Sequence, residues 1–352
     1  MSKRILIFLP YAVGGAERVG TTIGKLLANK GHHVSYVIMG DRQSEINTIL
    51  PSEDVCSRFY LKNNYLRWFR MNRLIRTQNA DVVFAPCRTL SRDLIIATKF
   101  MGLKCRVIVR SDNPLKTLGA SLRRQIKFTF RFADIVIAQQ EEMRQEIINE
   151  YPVPKYKVIA LQNPVDFDNI KLQAQQPSPY TDGNDIIRYV WVARFSVTGT
   201  KGQDVLAKAF TIVHKKNPQA RLYYVGRCYE SEFLEKVKNI LKDAGILQFV
   251  TFVGFDSNPY KWVQYADCFV LPSRVEGLPN ALVEAMYLGK PVVSTRCLPI
   301  VDRMIEDGVN GYRVEVEDYE AMADAMIKAV ELRNCKMIYQ PASNDEFIKL
   351  FE

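Results

Sequence analysis

The chain of 352 residues has no uninterrupted apolar run of about 18 residues, the length that a membrane-crossing helix requires. Its start, KRILIFLP, reads as a short strand and a turn rather than a signal peptide, so the expectation is a protein not integral to a membrane. Histidine is scarce: there are three, and His32 and His33 share the turn Gly31-His32-His33-Val34, which argues against a histidine-built metal centre. The seven cysteines, Cys56, Cys87, Cys105, Cys228, Cys268, Cys297 and Cys335, are scattered, odd in number and form no C-x-x-C. Neither a disulfide framework nor a zinc site is supported, and a reducing cytoplasm is expected. Short repeats and low-complexity tracts are also missing.

What is present is an alternation of apolar runs and helical patterns. RILIFLP, HHVSYVIMG, DVVFAP, CRVIVRS, ADIVIAQ and YKVIALQN read as buried strands, with helices such as ERVGTTIGKLLANKG between them. The series stops at Asn163-Pro164-Val165-Asp166, and the polar, Pro-rich KLQAQQPSPYTDGND reads as a linker. A second series follows: IIRYVWVARF, ARLYYVGR, FVTFVG, DCFVLPS and PVVST, again alternating with helical patterns. At this length two cores are expected, each an α/β domain with a doubly wound parallel sheet. Charge separates the halves: residues 1–165 hold 26 Lys+Arg against 13 Asp+Glu, a net of +13, whereas residues 166–352 hold 22 against 25, a net of −3. A basic half points to an anionic partner, membrane lipid or nucleic acid.

The stretch Glu276-Gly277-Leu278-Pro279-Asn280-Ala281-Leu282-Val283-Glu284 sets two carboxylates eight residues apart around a turn that feeds a helix. Such a turn aims backbone N–H groups and the positive end of the helix dipole outward, where phosphate oxygens bind. Amides with two carboxylates beside them suit a ligand anionic at one end and hydroxyl-rich at the other, as a nucleotide sugar is. These residues resemble the E-x7-E signature of retaining GT-B glycosyltransferases of glycosyltransferase family four. The agreement extends from FVLPS through RVEGLPNALVEAMYLGKPVVST to EDGVNGYRV. The resemblance implies that Glu284 binds ribose hydroxyls, that Glu276 contacts the donor sugar, and that amides of Gly277, Leu278, Asn280, Ala281 and Leu282 hold the diphosphate.

Further elements of the same resemblance lie elsewhere. VARFSVTGTKGQD resembles the family's Arg…Lys-Gly loop, one or two residues longer, and implies that Arg194 and Lys201 neutralise the departing diphosphate. Gly14-Gly15-Ala16-Glu17 resembles the N-terminal Gly-Gly loop, with Gly15 near the donor phosphates; it is not a G-x-G-x-x-G, which counts against a nicotinamide enzyme. Gly226-Arg227 and Gly254 resemble turns beside the donor, and both also read as plain strand ends. Arg110-Ser111-Asp112-Asn113-Pro114 ends a strand, where Asp112 is either a residue touching sugar or acceptor or a helix cap. Asp166-Phe167-Asp168 is formally D-x-D but stands at the linker, so it is not expected to hold a metal.

Two stretches carry the basic surface: residues 66–76, where Arg67, Arg70, Arg73 and Arg76 recur every three positions beside Trp68 and Phe69, and residues 118–132 with Phe128 and Phe130. A plain amphipathic helix packed on a sheet explains the same pattern, and no nucleic-acid-binding module is recognised. The expectation is therefore a GT-B fold of two Rossmann-like domains facing across a cleft. Residues 1–165 form the acceptor-side domain, 166–185 the linker, 186–335 the nucleotide-sugar domain, and 336–352 a tail packing back on the first. The expected activity is retaining, metal-independent sugar transfer from a nucleoside-diphosphate sugar, UDP favoured, to a saccharide hydroxyl. No cofactor beyond the donor is expected. The acceptor is expected to be lipid-linked and the enzyme cytoplasmic, peripheral on the inner membrane face. The alternative is a non-catalytic nucleotide-sugar-binding module, told apart by donor hydrolysis or transfer.

Overall fold

Seven apolar segments form one parallel sheet: β1 (Arg4–Pro10), β2 (His33–Met39), β3 (Ser57–Tyr60), β4 (Val82–Ala85), β5 (Arg106–Arg110), β6 (Ile135–Ala138) and β7 (Val158–Ala160), in the order β3-β2-β1-β4-β5-β6-β7. The structure is a computed structural model that describes residues 2–111, 115, 118–183, 185–195, 197–228, 231–332 and 335–352. It divides into two units, Met1–Val165 with Pro341–Glu352, and Asp166–Gln340. Helices cover the first sheet, so its central strands are hidden on both faces and read as continuous apolar runs. β3 escapes the sequence pattern because Ser57–Tyr60 is a short edge strand with no fully buried residue.

In the second unit β8 (Ile187–Val192), β9 (Ala220–Val225), β10 (Val250–Gly254), β11 (Cys268–Leu271), β12 (Val292–Thr295) and β13 (Gly311–Val314) lie in the order β10-β9-β8-β11-β12-β13, all parallel. Trp191, Tyr189, Tyr224 and Phe210 fill its core. Both orders reverse beside the first strand of the unit, which makes each a doubly wound Rossmann-like sheet with a topological switch point.

Residues 166–185, expected as a linker, are built into the second unit. Phe167–Ala174 is a helix capped by Asp166, whose carboxylate accepts the Asn169 amide at 3.1 Å. Phe167, Ile170 and Ala174 recur at helical spacing, and Ile170 and Ala174 are buried. Beyond it, the Tyr180 hydroxyl donates to the Trp262 carbonyl at 2.7 Å and Asp182 pairs with Arg188 at 2.9 Å. The Gln- and Pro-rich composition hid these few anchors. At the other end the helix Asn344–Phe351 belongs to the first unit: Phe347 and Phe351 are buried, Phe351 meets Phe84 edge-on at 5.4 Å, and the Asn344 side chain donates to the Val165 carbonyl at 3.2 Å.

Candidate active site

β8 and β11 are hydrogen-bonded neighbours at the switch point of the second sheet, so the segments leaving their C-terminal ends, with residues 197–202 on one side and 272–279 on the other, meet there. Their approach is close enough to dictate sequence. Gly202 has φ +66, and a Cβ on it would stand 1.8 Å from the Pro272 carbonyl oxygen, so only glycine fits. The Arg274 amide donates to the Thr200 carbonyl at 2.9 Å.

Across this contact the Lys201 ammonium donates to Glu276 Oε2 at 2.7 Å, and the Ser273 hydroxyl donates to Glu276 Oε1 at 2.7 Å. The Thr295 hydroxyl in turn donates to the Ser273 carbonyl. Glu276 is only 7% exposed, so each of its oxygens needs a donor; one is a cation whose own side chain is 29% exposed. Burial, then the nearby Glu276 carboxylate, pushes the Cys297 thiol up to about 12, which keeps it protonated and unreactive beside the pair. The sequence suggests separate duties for Lys201 and Glu276; in the structure they are each other's partner.

After Glu276 the chain turns into the helix Asn280–Tyr287, with Leu278 and Leu282 buried. Of the amides expected to face a diphosphate, that of Asn280 donates to the Leu278 carbonyl at 2.9 Å and that of Leu282 to the Pro279 carbonyl at 3.0 Å, so these two are engaged by the turn itself. The amides of Leu278 and Ala281 have no acceptor among the described residues. Glu284 lies half-buried on the same helix, and Gly277 is buried in the turn.

The other expected residues stand at neighbouring strand ends. Arg194 is exposed just beyond β8, while Phe195 beside it is buried and donates its amide to the Arg227 carbonyl at 2.8 Å. The Gly226 amide donates to the Gly254 carbonyl at 2.8 Å, and at φ +143 a Cβ on Gly226 would strike the Ala193 carbonyl oxygen at 1.8 Å. Arg194, Gly226, Arg227 and Gly254 therefore share the C-terminal edge of β8, β9 and β10. Three side chains went unnoticed in the sequence: Asp204, Arg274 and Glu317. Arg274 bonds the carboxylates of both Asp204 and Glu317 as well as the Gly199 carbonyl. Arg274 stands next to Ser273 and Asp204 two residues past Gly202, which is the only signal they carry; Glu317 carries none.

In the first unit Gly15 is exposed where the helix Gly15–Asn29 begins, and a Cβ there would meet nothing within 4 Å. Arg110, 3% exposed, donates to Asn163 Oδ1 at 2.6 Å and to the Pro86 carbonyl at 3.2 Å; Asn163 and Gln139 continue the network to the Ser111 carbonyl. Asp112 lies outside the described residues. Asp166 of the formal D-x-D is a helix cap, and no group of three or more metal-capable side chains occurs among the described residues.

The basic helices are sorted by their packing. In the helix Arg67–Thr77, Met71 and Ile75 face the sheet, and Asp93, 2% exposed, accepts from Arg67 Nε and Trp68 Nε1, each at 2.8 Å. Phe130 of the helix Ala120–Phe132 is also buried. Arg67, Trp68 and Phe130, expected at the outer surface, are thus structural. The exposed set is Tyr65 (84%), Leu66, Phe69 (62%), Arg73 and Arg76, with Phe100 (56%) stacked on Phe128. No helix among the described residues is long and apolar enough to cross a membrane.

Two doubly wound parallel sheets, one carrying a carboxylate–ammonium pair and open amides at its switch point, define a protein of the GT-B class. Residues 13–169 match the family described as Glycosyltransferase Family 4, and residues 187–331 match Glycosyl transferases group 1. With one match in each unit, the chain is a GT-B glycosyltransferase of the family-four-like kind. It is similar to an uncharacterized glycosyltransferase of Methanocaldococcus jannaschii, 27% identical over 74% of this chain and 64% of that protein. It is 23% identical to the N-acetylgalactosamine-N,N'-diacetylbacillosaminyl-diphospho-undecaprenol 4-alpha-N-acetylgalactosaminyltransferase of Campylobacter jejuni, over 97% of this chain and 93% of that one. Among solved structures, Anabaena HepE in complex with UDP and glucose has the same fold, with a TM-score of 0.79 at 19% identity over 99% of this chain and 98% of HepE.

Proposed function

We propose that this glycosyltransferase moves a sugar from a UDP-sugar to a hydroxyl of a lipid-linked saccharide, with retention and without a metal ion. Its setting would be cell-surface polysaccharide assembly at the inner face of the membrane. The observation that carries the reading is the Lys201–Glu276 pair at the β8/β11 switch point, with the amides of Leu278 and Ala281 after it. An arriving diphosphate competes with Glu276 for Lys201 and takes the open amides and Arg194 as further donors. Glu276, released from Lys201, then has an oxygen available to the hydroxyls of the donor sugar. Glu284 serves the ribose. In the transfer the bond from the anomeric carbon to phosphate oxygen breaks, the bond to the acceptor oxygen forms on the same face, and the acceptor proton passes to the departing phosphate. The cations take the part that a metal would otherwise play in stabilising the leaving group.

The Campylobacter jejuni relative, named for a diphospho-undecaprenol acceptor, and the UDP in the HepE complex support the choice of acceptor and donor. The exposed Tyr65, Leu66, Phe69, Arg73 and Arg76 suit a surface that is anionic outside and apolar beneath. The test is UDP release from UDP-glucose, UDP-galactose and their N-acetylhexosamine counterparts, with a bacterial polyprenol-linked glycan fraction as acceptor and with EDTA present. Acceptor-dependent release that yields an α-linked product from an α-linked donor is expected. An inverted product, or activity abolished by EDTA and restored by Mn²⁺, overturns the retaining or the metal-free part.

A further inference from the structure

Lys201 is carried by a glycine-bracketed loop whose geometry depends on bonds from other segments. Gly199 (φ +72) and Gly202 (φ +66) bracket it, and Val197, Thr198 and Thr200 are exposed. Glycine loses more conformational freedom on ordering than any other residue, so a loop with two left-handed glycines keeps one geometry only if other groups fasten it. Arg274 supplies one such fastening, beside the Lys201–Glu276 pair. Its Nη1 donates to the Gly199 carbonyl at 2.5 Å, and Nη1 and Nη2 form a forked pair with Asp204 at 2.8 and 3.2 Å. Nε and Nη2 bond Glu317, a non-glycine residue at φ +73, and the Arg274 amide holds the Thr200 carbonyl. Asp204 is 5% exposed in the first turn of the helix Gln203–Lys216, so one guanidinium joins the lysine loop, that helix and the segment after β13. Only arginine offers five donors in a rigid fork, and a lysine could not span the three partners.

We propose that Arg274 is a positioning residue: it touches no substrate and sets the loop 199–202 so that the Lys201 ammonium stands at Glu276, where the donor diphosphate arrives. This rests on the reading of Lys201 given above, and two measurements on the full chain separate the two ideas. The first is amide hydrogen exchange without nucleotide. In Arg274→Ala the amides of Gly202 and of residue 274, which bond Gly199 and Thr200, should exchange at least about tenfold faster, while those of β8 and β11 stay unchanged. Unaltered exchange at Gly202 overturns the clamp.

The second is a double-mutant cycle read by UDP titration. Lys201→Ala should weaken UDP about tenfold or more in the wild-type background, as befits a lost charge-assisted contact, and only about twofold in the Arg274→Ala background. Equal penalties in both backgrounds overturn the link from Arg274 to Lys201. Faster exchange together with no effect of Lys201→Ala on UDP supports the clamp and overturns the donor reading instead. Should Arg274→Ala fold poorly, Glu317→Gln at the exposed outer end of the clamp carries both measurements, with smaller changes of the same sign.

Discussion

Replacing Glu276 by glutamine separates what holds the site together from what drives transfer. The isosteric amide keeps an oxygen for the Ser273 hydroxyl at 2.7 Å but presents a neutral group to the Lys201 ammonium that now lies 2.7 Å away. A hydrogen bond to a charged group contributes about 1.5–3 kcal/mol, and because the Lys201 side chain is 29% exposed, water recovers part of the loss. The expected cost to folding is about 1 kcal/mol, a fall in Tm of roughly 2–4 °C for a unit of this size. Nucleotide binding should move the other way. UDP no longer has to draw Lys201 from a carboxylate, so its affinity should lie between unchanged and about tenfold tighter, the equivalent of 1.4 kcal/mol. Turnover should nevertheless fall about 100-fold, because a charged acceptor for the moving sugar has been lost and each 1.36 kcal/mol of transition-state stabilisation is tenfold in rate. Isothermal titration with UDP and a steady-state UDP-release assay measure both. A variant that binds UDP tenfold more weakly, or turns over within threefold of wild type, refutes the exchange of partners at Lys201.

Glu284→Ala should weaken UDP and donor alike by about 1.5–3 kcal/mol in titration, and unchanged affinity removes Glu284 from the ribose. Gly202→Ala should lower Tm and abolish UDP release, since a left-handed alanine is strained by about 1–2 kcal/mol and its Cβ would enter the Pro272 carbonyl; normal activity would show that the loops need not touch. Wild type should co-sediment with anionic and not neutral vesicles at low salt and be released by salt, and Arg73→Gln with Arg76→Gln should weaken this by about 1 kcal/mol per charge without altering UDP affinity. Asp204 bears on pH: burial raises its carboxyl, but the Arg274 and Lys236 bonds outweigh burial and hold it below the ordinary range. Its stabilisation is complete above the unfolded value of about 3.9 and is lost as pH falls through the lower folded value, so Asp204→Asn should flatten the decline of Tm below about pH 4.

The sheets were legible because buried parallel strands are apolar without interruption, and all but the edge strands β3 and β13 declare themselves that way. The Glu276–Glu284 stretch was legible because its chemistry is local: a turn, a helix start and two carboxylates adjacent in the chain. What composition misjudged is residues 166–185, where three helically spaced apolar residues and Tyr180 outweigh a polar background. Arg274 could not be found in that way. Its partners are 43, 70 and 75 residues distant, in the segment after β13, the helix Gln203–Lys216 and the lysine loop, and only the folded unit brings them together.

The basic helix shows a different limit, one that the sequence could have overcome. Arginines at every third position drift around a helix, so the series Arg67, Arg70, Arg73, Arg76 does not define one face. The inner face is defined by what the sheet demands, and Met71 and Ile75 mark it with helical spacing. The residues opposite that stripe are Leu66, Phe69, Arg73 and Arg76, which are the exposed ones. Arg67 and Trp68 fall to the flank, where Asp93 from the next helix collects both. A charged surface is thus better read from its apolar counterpart than from its own charges, because burial fixes the rotation of a helix at about 25 cal/mol per Å² while an exposed cation contributes little to that choice.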